Sequence, residues 1–250
     1  MRAETISDAM NYLDDEIIED TEAFRQKKKK RKGWIKGAIS AACLAVVLGA
    51  GLFVADRQQN RIALSENSAH VTARYIEKAP PVASSGDLIY LTEDELFTHW
   101  NTAIFKGTVE EIRNIELNFN GEKVYRAVAS IQVEATYRGP CSPGDTVSVL
   151  LPCPIGRELW VEDTEIVSAM QVGTTGIFMP VIYTGDSIWE QNGARLVQTD
   201  IADFGFADGQ RYAFLEGEEG LLFDRDSYPS IAAATTLDEV EAFIQDKIKK

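Results

Sequence analysis

Histidine and cysteine are scarce in these 250 residues: two histidines, His70 and His99, and three cysteines, Cys43, Cys141 and Cys153. Neither histidine has a second histidine or a cysteine at ligand spacing, which argues against a transition-metal centre. No G-x-S-x-G, H-E-x-x-H or P-loop pattern occurs. Asp203-Phe204-Gly205 spells a kinase tripeptide, but it stands without a glycine-rich loop or a catalytic loop. No catalytic constellation and no cofactor motif emerges, so a non-enzymatic chain is expected.

The cysteines are also too few for a disulfide-stapled module. Cys141 and Cys153 flank Asp145–Leu151, which reads as a strand. Seven extended residues cover about 23 Å, whereas a disulfide needs Cα atoms within about 7 Å. Unless the chain bends sharply there, the pair stays as two buried or half-buried thiols.

Most prominent among the features present is an apolar run of 19 residues, Gly37 to Ala55, without a single charge. As a helix it reaches about 28 Å, close to the roughly 30 Å of a bilayer's hydrocarbon core. A soluble core helix would keep a polar stripe. A signal peptide would have a shorter apolar region and a shorter, basic start. Ser40-Ala41-Ala42-Cys43 lacks the aliphatic residue of a lipoprotein signal. An uncleaved transmembrane helix over 33–56 is therefore expected, with Trp34 at the interface. Lys27, Lys28, Lys29, Lys30, Arg31 and Lys32 precede it, while Asp56 and Arg57 nearly cancel after it. The positive-inside rule puts the N-terminus in the cytoplasm and the rest outside the plasma membrane. The six basic residues are the expected membrane-surface contact, each adding on the order of 1 kcal/mol beside anionic lipid.

The net charge of −14 is uneven: residues 1–36 carry nine basic and eight acidic side chains, so the remainder holds −15. Such an acidic exterior excludes nucleic acid as a partner. Its apolar content is that of a folding chain, and about 150 residues make one domain.

Within the tail 1–32, Ile6, Met10, Leu13, Ile17 and Phe24 fall near helical spacing, with acids on the other face. Ser7 is a suitable N-cap. The segment is either a solvated tether or a docking helix for a cytoplasmic protein, with Met10, Leu13 and Ile17 as candidate contacts. Residues 57–91, with Pro80-Pro81 and Ser84-Ser85-Gly86, read as stalk or linker, and 56–76 as a possible extension of the membrane helix.

The domain is expected over 92–250. Thr92-Glu93-Asp94-Glu95 is a capping box for a short helix over 93–101. Strands are expected over 103–117, 122–137, 146–151 and 176–183, the last carrying Pro180 and so placed at an edge or bulge. Asn120-Gly121 and Asn192-Gly193 supply hairpin turns. A last hairpin joins 211–216 to 221–224 around Gly217–Gly220, and Thr236 caps an amphipathic helix over 237–249. Many short strands with few helices predict a mainly β (α+β) fold, a small closed or partly open barrel with a C-terminal helix.

Ile104-Phe105-Lys106-Gly107-Thr108-Val109, Tyr137-Arg138-Gly139, Gly144-Asp145-Thr146-Val147 and Val172–Phe178 together resemble the OB-fold barrels of the netrin-like and tissue-inhibitor-of-metalloproteinases superfamily, over about residues 95–185. The chain lacks that superfamily's dense disulfides and its free N-terminal cysteine, so protease inhibition does not carry over. The acidic tail, lysine block, single span and exterior domain are similar in layout to Gram-positive membrane proteins with an anti-sigma-like architecture. These resemblances imply an extracytoplasmic OB-like domain that binds or senses an unknown extracellular ligand and relays to a cytoplasmic regulator.

Other candidates are weaker in pattern. Asp200, Asp203 and Asp208, and Asp224 with Asp226, offer oxygens to calcium, but their spacing is not that of an EF-hand. Trp160, Trp189 and Phe204 suit packing better than a stacking platform. The alternative class is a membrane-anchored surface hydrolase with an unrecognised carboxylate site.

Overall fold

A computed structural model describes residues 60–81, 83–84, 88–156, 160–217 and 220–249, with side chains omitted at 83, 84, 160 and 161. The lysine block Lys27–Lys32, the tail positions Met10, Leu13 and Ile17, and the span 33–56 lie outside the described residues. No helix among the described residues is long and apolar enough to cross a membrane.

Two long strands, β4 (Ile104–Phe119) and β5 (Glu122–Arg138), organise the fold, following β1 (Arg61–Ile62), β2 (Val71–Ile76) and β3 (Ala83–Ser84). Their reversal is the expected two-residue turn. Asn120 and Gly121 both take positive φ, 51° and 101°, and the Gly121 amide donates to Asn118 Oδ1 at 2.7 Å. Positive φ at both central residues matches the twist of the flanking strands.

The chain continues as β6 (Thr146–Leu151), β7 (Trp160–Val161), a one-turn helix α1 (Glu165–Ser168), β8 (Thr175–Phe178), β9 (Val181–Ile182), β10 (Ile188–Gln191) and β11 (Ala194–Val197). Then come β12 (Phe204–Gly205), β13 (Ala213–Gly217), β14 (Gly220–Leu222) and the closing helix α2 (Leu237–Lys247). The main sheet runs β14-β13-β8-β4-β5-β6-β12-β9, with β2 laid on the far half of β4 and β1 on β2. All its pairs are antiparallel except β6 with β12.

This mainly β sheet curls into a half-barrel. The β4–β5 ladder has irregularities at Ile104/Phe105, Lys106/Gly107 and Val109/Glu111, and such bulges increase local twist. Gly107 permits the closest approach: a Cβ there would lie 2.4 Å from the Gln132 carbonyl oxygen. At the other end of the sheet, Val181 of β9 bridges to Thr102, just ahead of β4. The Ala103 amide donates to Pro180 O at 2.9 Å and the Ile182 amide to Asn101 O at 2.9 Å.

The bulge near Glu110 gives β4 two jobs. Val109 pairs with Ile131 and Glu111 with Ser130, leaving Glu110 as the extra residue. Before it, Phe105 and Val109 enter the half-barrel core with Ile131, Val149, Phe178 and Phe214, over which α2 lays Leu237, Val240 and Ile244. After it, Ile115, Leu117 and Phe119 enter a second, separate core with Ala73, Val128, Leu150 and Leu196. A single extra residue reverses the period-2 alternation and turns the same parity to the opposite face.

Several expectations change. From Asn60 onward the proposed stalk belongs to the folded unit. Within 56–76, residues 61–62 and 71–76 are strands rather than helix, and β2 pairs with β4 over six residues. Residues 93–101 form only a 3₁₀ turn at Glu95–Phe97, although the Thr92 amide and hydroxyl do donate to the Glu95 carboxylate at 2.8 and 2.7 Å. The strand expected over 176–183 is split at Met179-Pro180 into β8 and β9, since proline has no N–H for a ladder. Thr236 does cap α2 through a reciprocal box with Glu239. Cys141 and Cys153 are free, buried thiols.

Candidate functional site

Three chain reversals meet at one end of the second core. His70, Asn120 and Asn192 each hold a left-handed backbone, with φ of 57°, 51° and 48°. Asparagine and histidine adopt this region more readily than most residues. Asn192 Nδ2 donates to the carbonyls of Phe119 and Asn120, at 3.1 and 3.2 Å. Asn120 Nδ2 donates to Asn192 O at 3.3 Å, and the Asn120 amide donates to His70 O at 2.9 Å. Gln191 Nε2 reaches Glu122 at 2.5 Å. The imidazole of His70, both asparagines and Arg195 face solvent here.

Beneath this tip, Trp189 of β10 packs on Phe119, ring centroids 4.9 Å apart. The Arg126 guanidinium sits 5.3 Å from the Trp189 ring and donates to Tyr125 O at 2.9 Å. Burial pushes the Arg126 pKa down, only partly offset by Cys153 and Tyr183. The β10–β11 hairpin thus covers the outer face of β4 and β5. The resulting tip is a preorganised polar surface of amides, a carboxylate, an imidazole and a guanidinium. Such groups recognise a polar ligand by hydrogen bonds; local left-handed strain is a common companion of binding loops.

The carboxylates read as calcium candidates go to separate local partners. Asp200 Oδ2 accepts from the Ser65 amide and hydroxyl, both at 2.9 Å, and from the Ser68 hydroxyl at 2.6 Å. Asp203 accepts from the Ser148 amide and hydroxyl. Asp208 forms a buried ion pair with Arg211 at 2.8 Å. Asp224 accepts from the Ser227 hydroxyl and from the amides of Asp226 and Ser227. Among the described residues no three His, Cys, Asp or Glu side chains gather in a metal-holding group.

His99 is exposed, its ring edge-on to Trp100 at 4.6 Å. Phe204 is core, 6.1 Å from Phe105. Two further hollows are open to solvent. One of about 440 Å³ lies by Cys141, Asp145, Tyr183 and Asp203; one of about 730 Å³ lies between Val172 and Leu222.

The tip was half visible in the sequence. Asn120-Gly121 and Asn192-Gly193 announce turns, but nothing local announces that they touch, and His70 reads as linker. The usable signal is the pair of Asn-Gly turns in one domain, each of which fixes a tip but not its neighbour. No protein family, curated protein or solved structure matches the chain.

Proposed function

We propose that the chain is a non-enzymatic, single-pass plasma-membrane protein whose exterior part is an OB-like barrel that binds or senses an extracellular ligand. The observation that carries this reading is the convergence of the β4–β5 and β10–β11 turns at one end of a curled sheet. Five strands, β4, β5, β6, β12 and β9, follow one another around the curl, and an OB barrel is a five-stranded, partly open barrel that binds through loops at its rim. In this chain β10–β11 occupies much of the outer strand face, so the exposed turns, with His70, Asn120, Asn192 and Arg195, are the ligand-facing groups. The two free thiols accord with a departure from the disulfide-rich inhibitors.

The membrane part of the reading rests on the lysine block and the apolar run. The regulatory part, anti-sigma-like, assigns Met10, Leu13 and Ile17 to a cytoplasmic partner's groove. Reporter fusions after Arg31 and after Lys250 test the topology: the first reports from the cytoplasm and the second from outside. A cytoplasmic signal from the Lys250 fusion overturns the membrane reading. The full-length protein retains a cytoplasmic partner in pull-downs, and Leu13→Asp with Ile17→Asp abolishes that retention. An unchanged yield from the double variant leaves the tail as a tether.

A further inference from the structure

The β10–β11 hairpin is bound to the first described residues of the chain more tightly than a covering flap requires. Ala69 and Arg195 exchange both backbone hydrogen bonds, at 2.8 and 2.9 Å. The Val197 amide donates to Ser68 Oγ at 2.9 Å, and that hydroxyl donates onward to Asp200 at 2.6 Å. The same Asp200 oxygen takes the amide and hydroxyl of Ser65. One carboxylate just past β11 therefore holds both serines of the 65–68 turn. From there the chain enters β2, which pairs with β4 over Val71–Ile76, while the Tyr75 amide donates back to Asn60 O at 2.7 Å.

The apolar groups tell the same story. Hairpin residues Ala194, Leu196 and Trp189 share the second core with Ile62, Leu64, Val71 and Ala73. That core is a separate cluster from the half-barrel core under α2. Segments held by a small core of their own open together and apart from the main one.

We infer that residues 60–76 and the β10–β11 hairpin form one relay element: an event at the hairpin tip is transmitted through Ser65, Ser68 and Asp200 to the point where the chain leaves the sheet at Asn60. Its physiological meaning rests on the sensing role proposed above, while the coupling itself rests on these contacts. A ligand that engages Asn192 and shifts the hairpin loosens β1 and β2 as well, because their hydrogen bonds and apolar cover are shared.

Hydrogen exchange on the full chain in detergent micelles tests this. Ser68→Ala removes a donor and an acceptor together, and it raises exchange of amides in 62–76 and 188–197 in parallel, by about tenfold. Asp200→Asn keeps the shape and raises both segments less. The deciding variant is Trp189→Ala, which touches neither serine nor Asp200: it loosens the hairpin from Phe119, and exchange rises in 62–76 too. Faster exchange confined to 188–197 overturns the relay. An equal rise at residues 175–178 and 213–216, which belong to the half-barrel core, overturns it as well, since hairpin and strap would then open only with the whole domain. A cytoplasmic Lys250 reporter removes the membrane reading without altering this exchange pattern, so the two failures are distinguishable.

Discussion

Arg74 grips both carboxylate oxygens of Glu116 across the β2–β4 pair, Nε to Oε1 and Nη2 to Oε2, each at 3.0 Å. Lys123 adds a third contact from β5 at 3.1 Å. A single carboxylate with one-tenth of its side chain exposed thus joins three neighbouring strands. Bidentate Arg–carboxylate pairing fixes geometry as well as charge.

Acid sensitivity follows. The Arg74 hydrogen bonds, with Lys123, hold the Glu116 pKa below its ordinary value against the opposing effect of burial. Glu93 is also lowered: burial raises it, but hydrogen bonds from Lys247 and Ser230 outweigh that. A depressed folded-state pKa contributes stability that is present above the unfolded value of about 4.3 and lost as pH falls through the folded value. Melting temperature is therefore expected to stay level from about pH 5 to 7 and to drop below about pH 4. Glu116→Gln flattens part of that drop; an unchanged slope would count against the linkage.

Gly107 should tolerate no side chain. Gly107→Ala sets a Cβ against the Gln132 carbonyl, and overpacking of this kind costs about 1–3 kcal/mol. Gly185 has open space around it and no positive φ, so Gly185→Ala is expected to be neutral. Urea midpoints of the two variants, measured side by side, separate the two outcomes.

Tyr228 is fully buried, and its hydroxyl donates to Arg211 O at 2.8 Å. Its ring packs 4.9 Å from Phe214. Tyr228→Phe leaves a buried carbonyl short of a partner and costs about 1 kcal/mol. Tyr228→Ala opens a cavity and costs about 3–5 kcal/mol. Denaturant titration giving equal losses would show that the hydroxyl, not the ring, dominates.

Cys153 should be chemically silent in the native state. Its side chain is almost wholly buried, and burial pushes its thiol pKa up despite opposing contacts from Thr164 and Arg126. Thiolate is the reactive form. A maleimide is expected to label Cys153 only after denaturation, as peptide mapping will show; native labelling at a rate like that of an exposed thiol would contradict the packing.

The parts of this fold written in short-range chemistry were readable from the sequence. Thr146–Leu151 emerged with its bounds intact, because alternation and flanking turns sufficed. Asn192-Gly193 and the Thr236 cap were equally local. The parts set by distant partners were not. Arg61–Ile62 is too short to announce a strand, and Val71–Ile76 sits in a largely polar stretch; pairing settles both, β1 on β2 and β2 on β4. The parallel β6–β12 pair joins Val149 to Phe204, a relation no window of residues contains. The tip was missed for the same reason: each turn was visible, and their meeting was not.

Glu110 carries a consequence for how this sequence can change. With one unpaired residue, β4 serves as a common wall between two hydrophobic interiors. Length in the stretch from Val109 to Ile115 is therefore constrained by parity rather than by size. Loss or gain of one residue there would exchange the two sides of the wall, sending Ile115, Leu117 and Phe119 to the side of the ion-paired Glu116. A change of two residues would preserve the assignment. Homologous chains, wherever they arise, are free to lengthen this ribbon only in even steps.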